Sequence, residues 1–346
     1  MKYSQLDRDM PHKGKKEKTG RSRFRGIRSL FLNGTWVEKG LFLLALIVFL
    51  ISAFFLVRYA VASLHSVRVN EGLRDLHETA ETKEDRPEKP EAVPTGAEET
   101  VKPEKTGQPA AQETVSPALS LSAWKPEATF SPYYFDMSGS VLPEMNGLYA
   151  FNSDLAGWLK IDSTVDLPVV YRDNEYYLTH DFYRQAAQGG TLFVDEFGPV
   201  SSATQNLLIH GHNMKDGSMF GPLNHYYRND AAWVRRHAFA EFSTLYQKNT
   251  YVLFAVAKVS TQPGNSQYLQ FMGRNTFSSE QRFHSYIDQL RGLSIYDIPI
   301  DVEPCDSLLT LSTCLGDDRL LVCFRKVRQN ESREQLSYQI TQAAAR

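Results

Sequence analysis

Ser307-Leu308-Leu309-Thr310-Leu311-Ser312-Thr313-Cys314 is an apolar run that ends on a cysteine, and Arg319 stands five residues beyond it. A short Leu- and Thr-rich run bounded by polar and glycine residues reads as a β-strand. Upstream, Leu207-Leu208-Ile209-His210-Gly211-His212-Asn213-Met214 is a second apolar run, this one ending on histidine. A strand-end Cys, a strand-end His and an Arg supply a nucleophile, an acid/base and an anion clamp. That combination makes the chain readable as an enzyme.

The spacing after Cys314 selects its arginine. If 307–313 and 320–326 form a hairpin around Leu315-Gly316-Asp317-Asp318, residue 314 faces residue 319. Opposed residues project to one face with Cβ atoms about 5 Å apart, which places Arg319 beside Cys314. Arg325 lies on the same face but ~20 Å further along, and Arg328 is further still. In this register Cys323 faces Thr310, ~16 Å from Cys305. A disulfide needs Cα atoms within roughly 7 Å, so no bridge between Cys305 and Cys323 is expected. With three cysteines in the chain, three free thiols follow, Cys305 and Cys323 as packing residues and Cys314 as the thiol activated by a neighbouring cation. The pair His210-Gly211-His212 raises the question of a metal, but no third ligand lies at helix or loop spacing, so no metal and no cofactor are expected.

The ends of the chain add an architecture. Residues 40–57 are eighteen consecutive apolar or small residues, close to the hydrocarbon thickness at helical rise. Ten Lys/Arg against Asp7, Asp9 and Glu17 make the first 28 residues strongly basic. The positive-inside bias puts that tail in the cytoplasm and everything after the span outside. The rival reading is a cleaved signal peptide; the length of the run and its start some 40 residues in favour an uncleaved signal anchor. The basic tail next to a span meets anionic lipid rather than nucleic acid. The whole chain carries −2, so the remainder is acidic and a nucleic-acid role is excluded for the outer part.

A stretch rich in Glu, Lys, Pro, Thr and Ala follows, with Pro87, Pro90, Pro94, Pro103, Pro109 and Pro117 spread along it. It cannot bury enough apolar surface to offset its ordering entropy and reads as a stalk, whose first part, 62–83, extends the membrane helix. The organisation expected is a basic cytoplasmic tail (1–39), a transmembrane anchor (40–62), a partly disordered extracellular stalk (63–122) and a catalytic domain (123–346). Within the last, 167–171, 176–178, 190–195, 206–210, 250–260 and 308–313 look like strands, and helical spacing appears at 148–159 and 279–293. In the second helix Phe283, Ile287 and Leu290 share a face, and Ser278 or Ser279 caps the start. Short strands with few helices predict a mainly β fold, a barrel or sandwich with helices attached.

These residues carry a resemblance. Thr310-Leu311-Ser312-Thr313-Cys314 resembles the TLxTC signature of sortases, and Arg319-Leu320-Leu321-Val322 the strand bearing their arginine. The segment from Gly211-His212-Asn213-Met214 to Phe220 is similar to the histidine segment of class B sortases. Asp154-Leu155-Ala156-Gly157-Trp158-Leu159, Pro168-Val169-Val170, Asn174-Glu175-Tyr176-Tyr177-Leu178 and Gly190-Thr191-Leu192-Phe193-Val194-Asp195 match in the same order. The helix at 279–293, between the 250–260 strand and the cysteine strand, stands where class B members carry an extra helix. One departure is His210, where the family often has Tyr before Gly-His.

The resemblance implies an eight-stranded sortase-type β-barrel with peripheral helices, and a membrane-anchored cysteine transpeptidase of a Gram-positive surface. Cys314 would attack after the Thr of a C-terminal sorting motif, His212 would act as general acid/base, and Arg319 would hold substrate and stabilise the oxyanion. Ser312, Thr313 and Asn213 are candidate substrate contacts. The partners implied are secreted proteins bearing a sorting signal, of Asn-Pro-x-Thr or Ser/Pro-Pro-x-Thr type, and a peptidoglycan-precursor or pilin amine as acceptor. Rival readings are an L,D-transpeptidase, whose Ser-x-Gly-Cys context is absent here, a papain-like wall hydrolase, which usually places Cys before His, and a non-enzymatic stalked surface protein, which leaves the His, Cys and Arg segments unexplained.

Overall fold

The computed structural model describes residues 35–84, 135, 138–228 and 230–346. The basic tail up to residue 34 and the Pro-rich spacer at 85–122 lie outside the described residues. The chain divides into two compact units, Met1–Val61 and Ala62–Arg346. In the first, helix α1 (Trp36–Glu84) begins; apart from half-buried Phe42, its Leu, Ile, Val and Phe side chains from Leu41 to Val61 are exposed. A helix that is apolar on every face suits either the core of a larger assembly or a membrane span. Among the described residues it is the one helix long and apolar enough to cross a membrane.

The second unit is built on a closed eight-stranded barrel. Its strands are β1 (Leu155–Ile161), β2 (Val165–Tyr171), β3 (Leu192–Val194), β4 (Asn206–His210), β5 (Phe239–Thr244), β6 (Lys248–Val259), β7 (Leu308–Leu315) and β8 (Asp318–Lys326). Around the barrel the order is β1-β2-β3-β4-β7-β8-β6-β5. β2–β3 and β4–β7 are parallel pairs and the others antiparallel. Closure removes the open edges that a sheet of this composition would otherwise expose. Leu159, Leu167, Val169, Leu207, Ile209, Leu253, Leu309, Leu311 and Val322 are buried in one core. β4 and β7 read as near-continuous apolar runs because each is buried on both faces, as parallel pairs are.

Helix α2 (Pro143–Phe151) precedes β1, α3 (Glu280–Leu293) lies between β6 and β7, and α4 (Arg333–Thr341) follows β8. α3 starts where Ser279 accepts from Arg282 N, and buries Phe283, Tyr286, Ile287 and Leu290. The Ser332/Gln335 capping box starts α4.

Two sequence expectations change. The helical spacing over 148–159 is not one helix: Asn152 accepts from Asp154 N and turns the chain into β1. There Gly157 sits so close to Phe242 and the Ser243 carbonyl that a side chain would collide. Tyr176–Leu178 is a 3-10 turn, not a strand, because the Asp173 carboxylate accepts from the backbone N–H of Glu175 and Tyr176 and closes the backbone on itself.

The part of α1 after Ala62 does not stand clear as a stalk. Leu73 is fully buried with Met145, Leu148, Leu155, Trp158, Tyr177 and Phe182. His77 stacks on Trp158 at 4.2 Å, Arg74 donates to the Asp166 carbonyl, and Lys248 pairs with Glu81 at 2.8 Å. Ser66, Asn70, Leu73 and His77 recur at helical spacing, but their stripe is too polar to advertise itself as a core face.

Candidate active site

The parallel pair β4–β7 brings the two signature segments together. Its register runs from Asn206↔Leu308 to His210↔Ser312, and Thr310 Oγ1 donates to Asn206 Oδ1 at its start. Past the last paired residues, Gly211 N donates to the Ser312 carbonyl and Thr313 Oγ1 to the Gly211 carbonyl. Extended two residues past the ladder, the same register would bring His212 level with Cys314, where neighbouring strands of a sheet lie about 4.8 Å apart. Gly211 is required at this point, since a Cβ would run into the side chains of Leu192 and Phe220.

The β7–β8 hairpin supplies the third group. Cys314 pairs with Arg319 and Thr310 with Cys323, the register expected from sequence, around a tight Gly316-Asp317 turn with Gly316 at φ +64. Arg319 Nη1 donates to Cys314 Sγ at 2.8 Å. Cys314 is exposed, and Arg319 and His212 are half-buried, so the cluster is open to a substrate. Arg325 is committed elsewhere: it is fully buried and forks onto both Glu331 oxygens at 2.6 Å. Arg328 is held by Asp301 and Asp306.

His212 is oriented from its far side. Nε2 lies 2.8 Å from the Leu178 carbonyl, an atom that only accepts. The proton therefore sits on Nε2, and Nδ1 is the nitrogen left to exchange protons. The Leu178 carbonyl is presented by the 3-10 turn, which Gly190 at φ +59 packs so tightly that a Cβ there would strike Tyr177 O. Nothing in a side-chain pattern reveals this partner, because it is a backbone atom.

Asn213 ties the two segments: Nδ2 donates to the Cys314 carbonyl at 2.7 Å and to Asn224 Oδ1 at 3.0 Å, and Asn224 donates back to Asn213 Oδ1. Asn224 carried no signal in the sequence. The Thr313 side chain is fully buried with its hydroxyl spent on Gly211, and Ser312 is buried with Oγ unpartnered. Both residues are buried as a whole, side chain and backbone alike. His210 pairs with buried Asp195 at 3.0 Å and does not join the Cys314 cluster.

All three cysteines are free. Cys323 is buried, and desolvation pushes its thiol up to about 12, which leaves it inert. Cys305 is exposed, so its reading as a packing residue does not hold; it lies in the turn before β7, outside the core. Among the described residues no cluster of three metal-ligating side chains occurs. A cavity of about 700 Å³ borders Asn213, Met214, Asn224, His225 and Trp233, next to the histidine loop. Another, of about 430 Å³, lies under α3 near Arg274, Arg282 and Tyr286, toward the other end of β4.

No family model matches the chain. Sortase B of Listeria monocytogenes is 31% identical over 181 residues, which span 52% of this chain and 70% of that protein. The chain belongs to the sortase B family. Sortase B of Staphylococcus aureus is 28% identical over 176 residues, 50% of this chain and 68% of that protein. A solved Bacillus anthracis structure described as similar to sortase B superposes with a TM-score of 0.50 at 28% identity, covering 58% of this chain and 91% of that one. Sortase B of B. anthracis in complex with AAEK2 gives the same TM-score at 26% identity, with the same coverage. As a class B sortase, the chain is a cysteine transpeptidase, and its closed barrel with attached helices is the fold of these structures.

Proposed function

We propose that Cys314 is the nucleophile, His212 the general acid/base and Arg319 the oxyanion and substrate clamp of a membrane-anchored sorting reaction. The observation that carries this reading is the contact of Arg319 Nη1 with Cys314 Sγ at 2.8 Å, on a strand end whose parallel neighbour, β4, ends two residues before His212. The Cys314 sulfur attacks the carbonyl carbon that follows the Thr side chain of the sorting motif. Charge moves onto the carbonyl oxygen, where the guanidinium donors meet it. His212 Nδ1 takes the thiol proton as the sulfur attacks and passes it to the leaving amine, the Thr–X amide breaks, and a thioester remains on Cys314. An incoming amine then attacks the thioester, His212 takes its proton, and the thiol is regenerated as a new amide forms. Proton and electron pairs balance with no external reagent. Asn213 holds the Cys314 carbonyl and so keeps the nucleophile and the histidine loop in one rigid frame.

The substrates in this reading are secreted proteins with a C-terminal Asn-Pro-x-Thr or Ser/Pro-Pro-x-Thr motif, and the acceptor is a peptidoglycan-precursor or pilin amine. Residues 40–62 anchor the chain with the basic tail in the cytoplasm, held to anionic lipid, and the barrel outside. The supporting features are the apolar helix, the basic residues before it and the acidic remainder. Mass spectrometry of products from a peptide library offered together with candidate amines tests this directly. Cleavage after Thr with amide formation to the amine supports it, and hydrolysis or no turnover across the library contradicts it.

A further inference from the structure

We propose that the segment of α1 following the membrane-like stretch is a positioning element of the transpeptidase site, acting through Ser63 and His65. The inference rests on the reading of His212 as the acid/base. Two backbone segments hold that histidine. One is its own loop, 212–220; the other is the turn that presents the Leu178 carbonyl to Nε2. Within the second compact unit, α1 grips both.

On the first segment, Ser63 Oγ donates to Asp216 Oδ2 at 2.5 Å. Asp216 Oδ1 accepts from Ser218 N and Ser218 Oγ, at 3.0 and 2.7 Å. The loop is closed on itself by Gly217 N to Met214 O, by Phe220 N to His212 O, and by a bridge between Asn213 and Met219. Met219 is buried despite a φ of 51, a conformation that a non-glycine residue keeps only when its surroundings impose it. Asp216 is thus the outer tether of a small rigid loop whose inner end is His212. Among the described residues, its carboxylate is the one atom group that joins the loop to the helix by a side-chain hydrogen bond.

On the second segment, His65 Nε2 lies 3.4 Å from Asp181 Oδ2. The Asp181 side chain is only 5% exposed, and that oxygen has no hydrogen-bond partner among the described residues. Asp181 opens the turn that runs back to Gly190, through Asp181 N to Gln185 O and Ala187 N to Thr179 O. Ser66 is buried, with Oγ 3.4 Å from where a Cβ on Gly189 would sit. Leu73, two further turns along the helix face, packs in the same cluster as Tyr177, the residue before Leu178. Both supports of the imidazole are therefore anchored to one helix, and the site is completed by a segment that a barrel-only boundary would omit. Displacing a proton-transfer group by a fraction of an ångström is costly in rate and nearly silent in substrate binding.

The test uses the full chain in detergent micelles, with a quenched sorting peptide and an amine acceptor. Ser63→Ala is expected to lower kcat about three- to tenfold, the range of one lost hydrogen bond, with KM for the peptide and the melting temperature unchanged. Ser63→Thr, which keeps the hydroxyl, is expected to restore most of the rate. Adding Ser63→Ala to Asp216→Ala is expected to cost nothing more than Asp216→Ala alone. A wild-type kcat for Ser63→Ala, while His212→Ala and Cys314→Ala are dead, overturns the positioning role and leaves the transpeptidase site standing. A loss that follows the melting temperature and is not restored by Thr overturns it too, because it marks packing alone. If His212→Ala keeps its activity, the site assignment fails first and this inference goes with it.

Discussion

Arg319→Lys separates the role of a planar fork from that of a positive charge. Arg319 Nη1 donates to Cys314 Sγ at 2.8 Å, and its backbone is pinned between Cys314 on β7 and Val259 on β6. The remaining guanidinium N–H groups have no carboxylate partner among the described residues, since Asp318 next to it is taken by Lys258 at 2.9 Å. The fork is thus free to hold sulfur and a carbonyl oxygen together, which an ammonium does as a point charge or not at all. A hydrogen bond to a charged group is worth about 1.5–3 kcal/mol, and loss of an oxyanion donor about 2.7–4 kcal/mol. Since ~1.4 kcal/mol is a factor of ten, Arg319→Ala should lose roughly 10²–10³ in kcat/KM and Arg319→Lys roughly 10–10². Because Arg319 is half-buried and, among the described residues, its side chain hydrogen-bonds only the sulfur, the melting temperature should stay within about a degree of wild type. The assay is steady-state transpeptidation of a quenched peptide with amine acceptor, read beside thermal unfolding. A Lys variant within twofold of wild type would refute the reasoning, as would a loss matched by unfolding.

Cys314→Ala should abolish activity while Cys305→Ala and Cys323→Ala keep it, and in the folded protein thiol labelling should reach Cys305 and Cys314 but not buried Cys323; activity assays with peptide mapping check both. Gly211→Ala forces a Cβ onto Leu192 and Phe220 at the end of β4, so it should lower both stability, by about 1–3 kcal/mol, and kcat, as denaturant melts and kinetics would show. Burial alone would raise the Asp301 and Glu331 carboxyls, but the hydrogen bonds from Arg328 and Arg325 outweigh it and hold both below the ordinary carboxylate range. A depressed folded-state value stabilises above the unfolded one, near 4, and is lost as pH falls through it. The melting temperature should therefore fall between about pH 5 and pH 3, less steeply in Glu331→Gln, and identical slopes in the two proteins would count against this network.

Register made the hairpin legible. Because β7 and β8 are joined by a tight turn, residue numbers alone place Arg319 opposite Cys314 and Cys323 opposite Thr310. The class B helix was readable for the same local reason, a serine cap before a clear apolar face. What the sequence hides is non-local or backbone-borne. The pairing of β4 with β7 joins residues a hundred positions apart, and only the family resemblance brought His212 to Cys314. The Leu178 carbonyl that orients His212 has no side-chain signature. Tyr176–Leu178 has the aromatic and aliphatic composition of a strand but is curled by the Asp173 carboxylate. Residues 62–84 look like a solvated extension because their docking stripe mixes Ser, Asn and His with a single Leu.

In the proposed reaction the thioester forms on Cys314. Intact-mass analysis and peptide mapping of the full chain, quenched during turnover of an Asn-Pro-x-Thr peptide, measures it directly. One adduct is expected, on Cys314, that holds the peptide up to Thr, disappears when an amine is added, and is absent from Cys314→Ala. An adduct on Cys305, or turnover that survives Cys314→Ala, would contradict it.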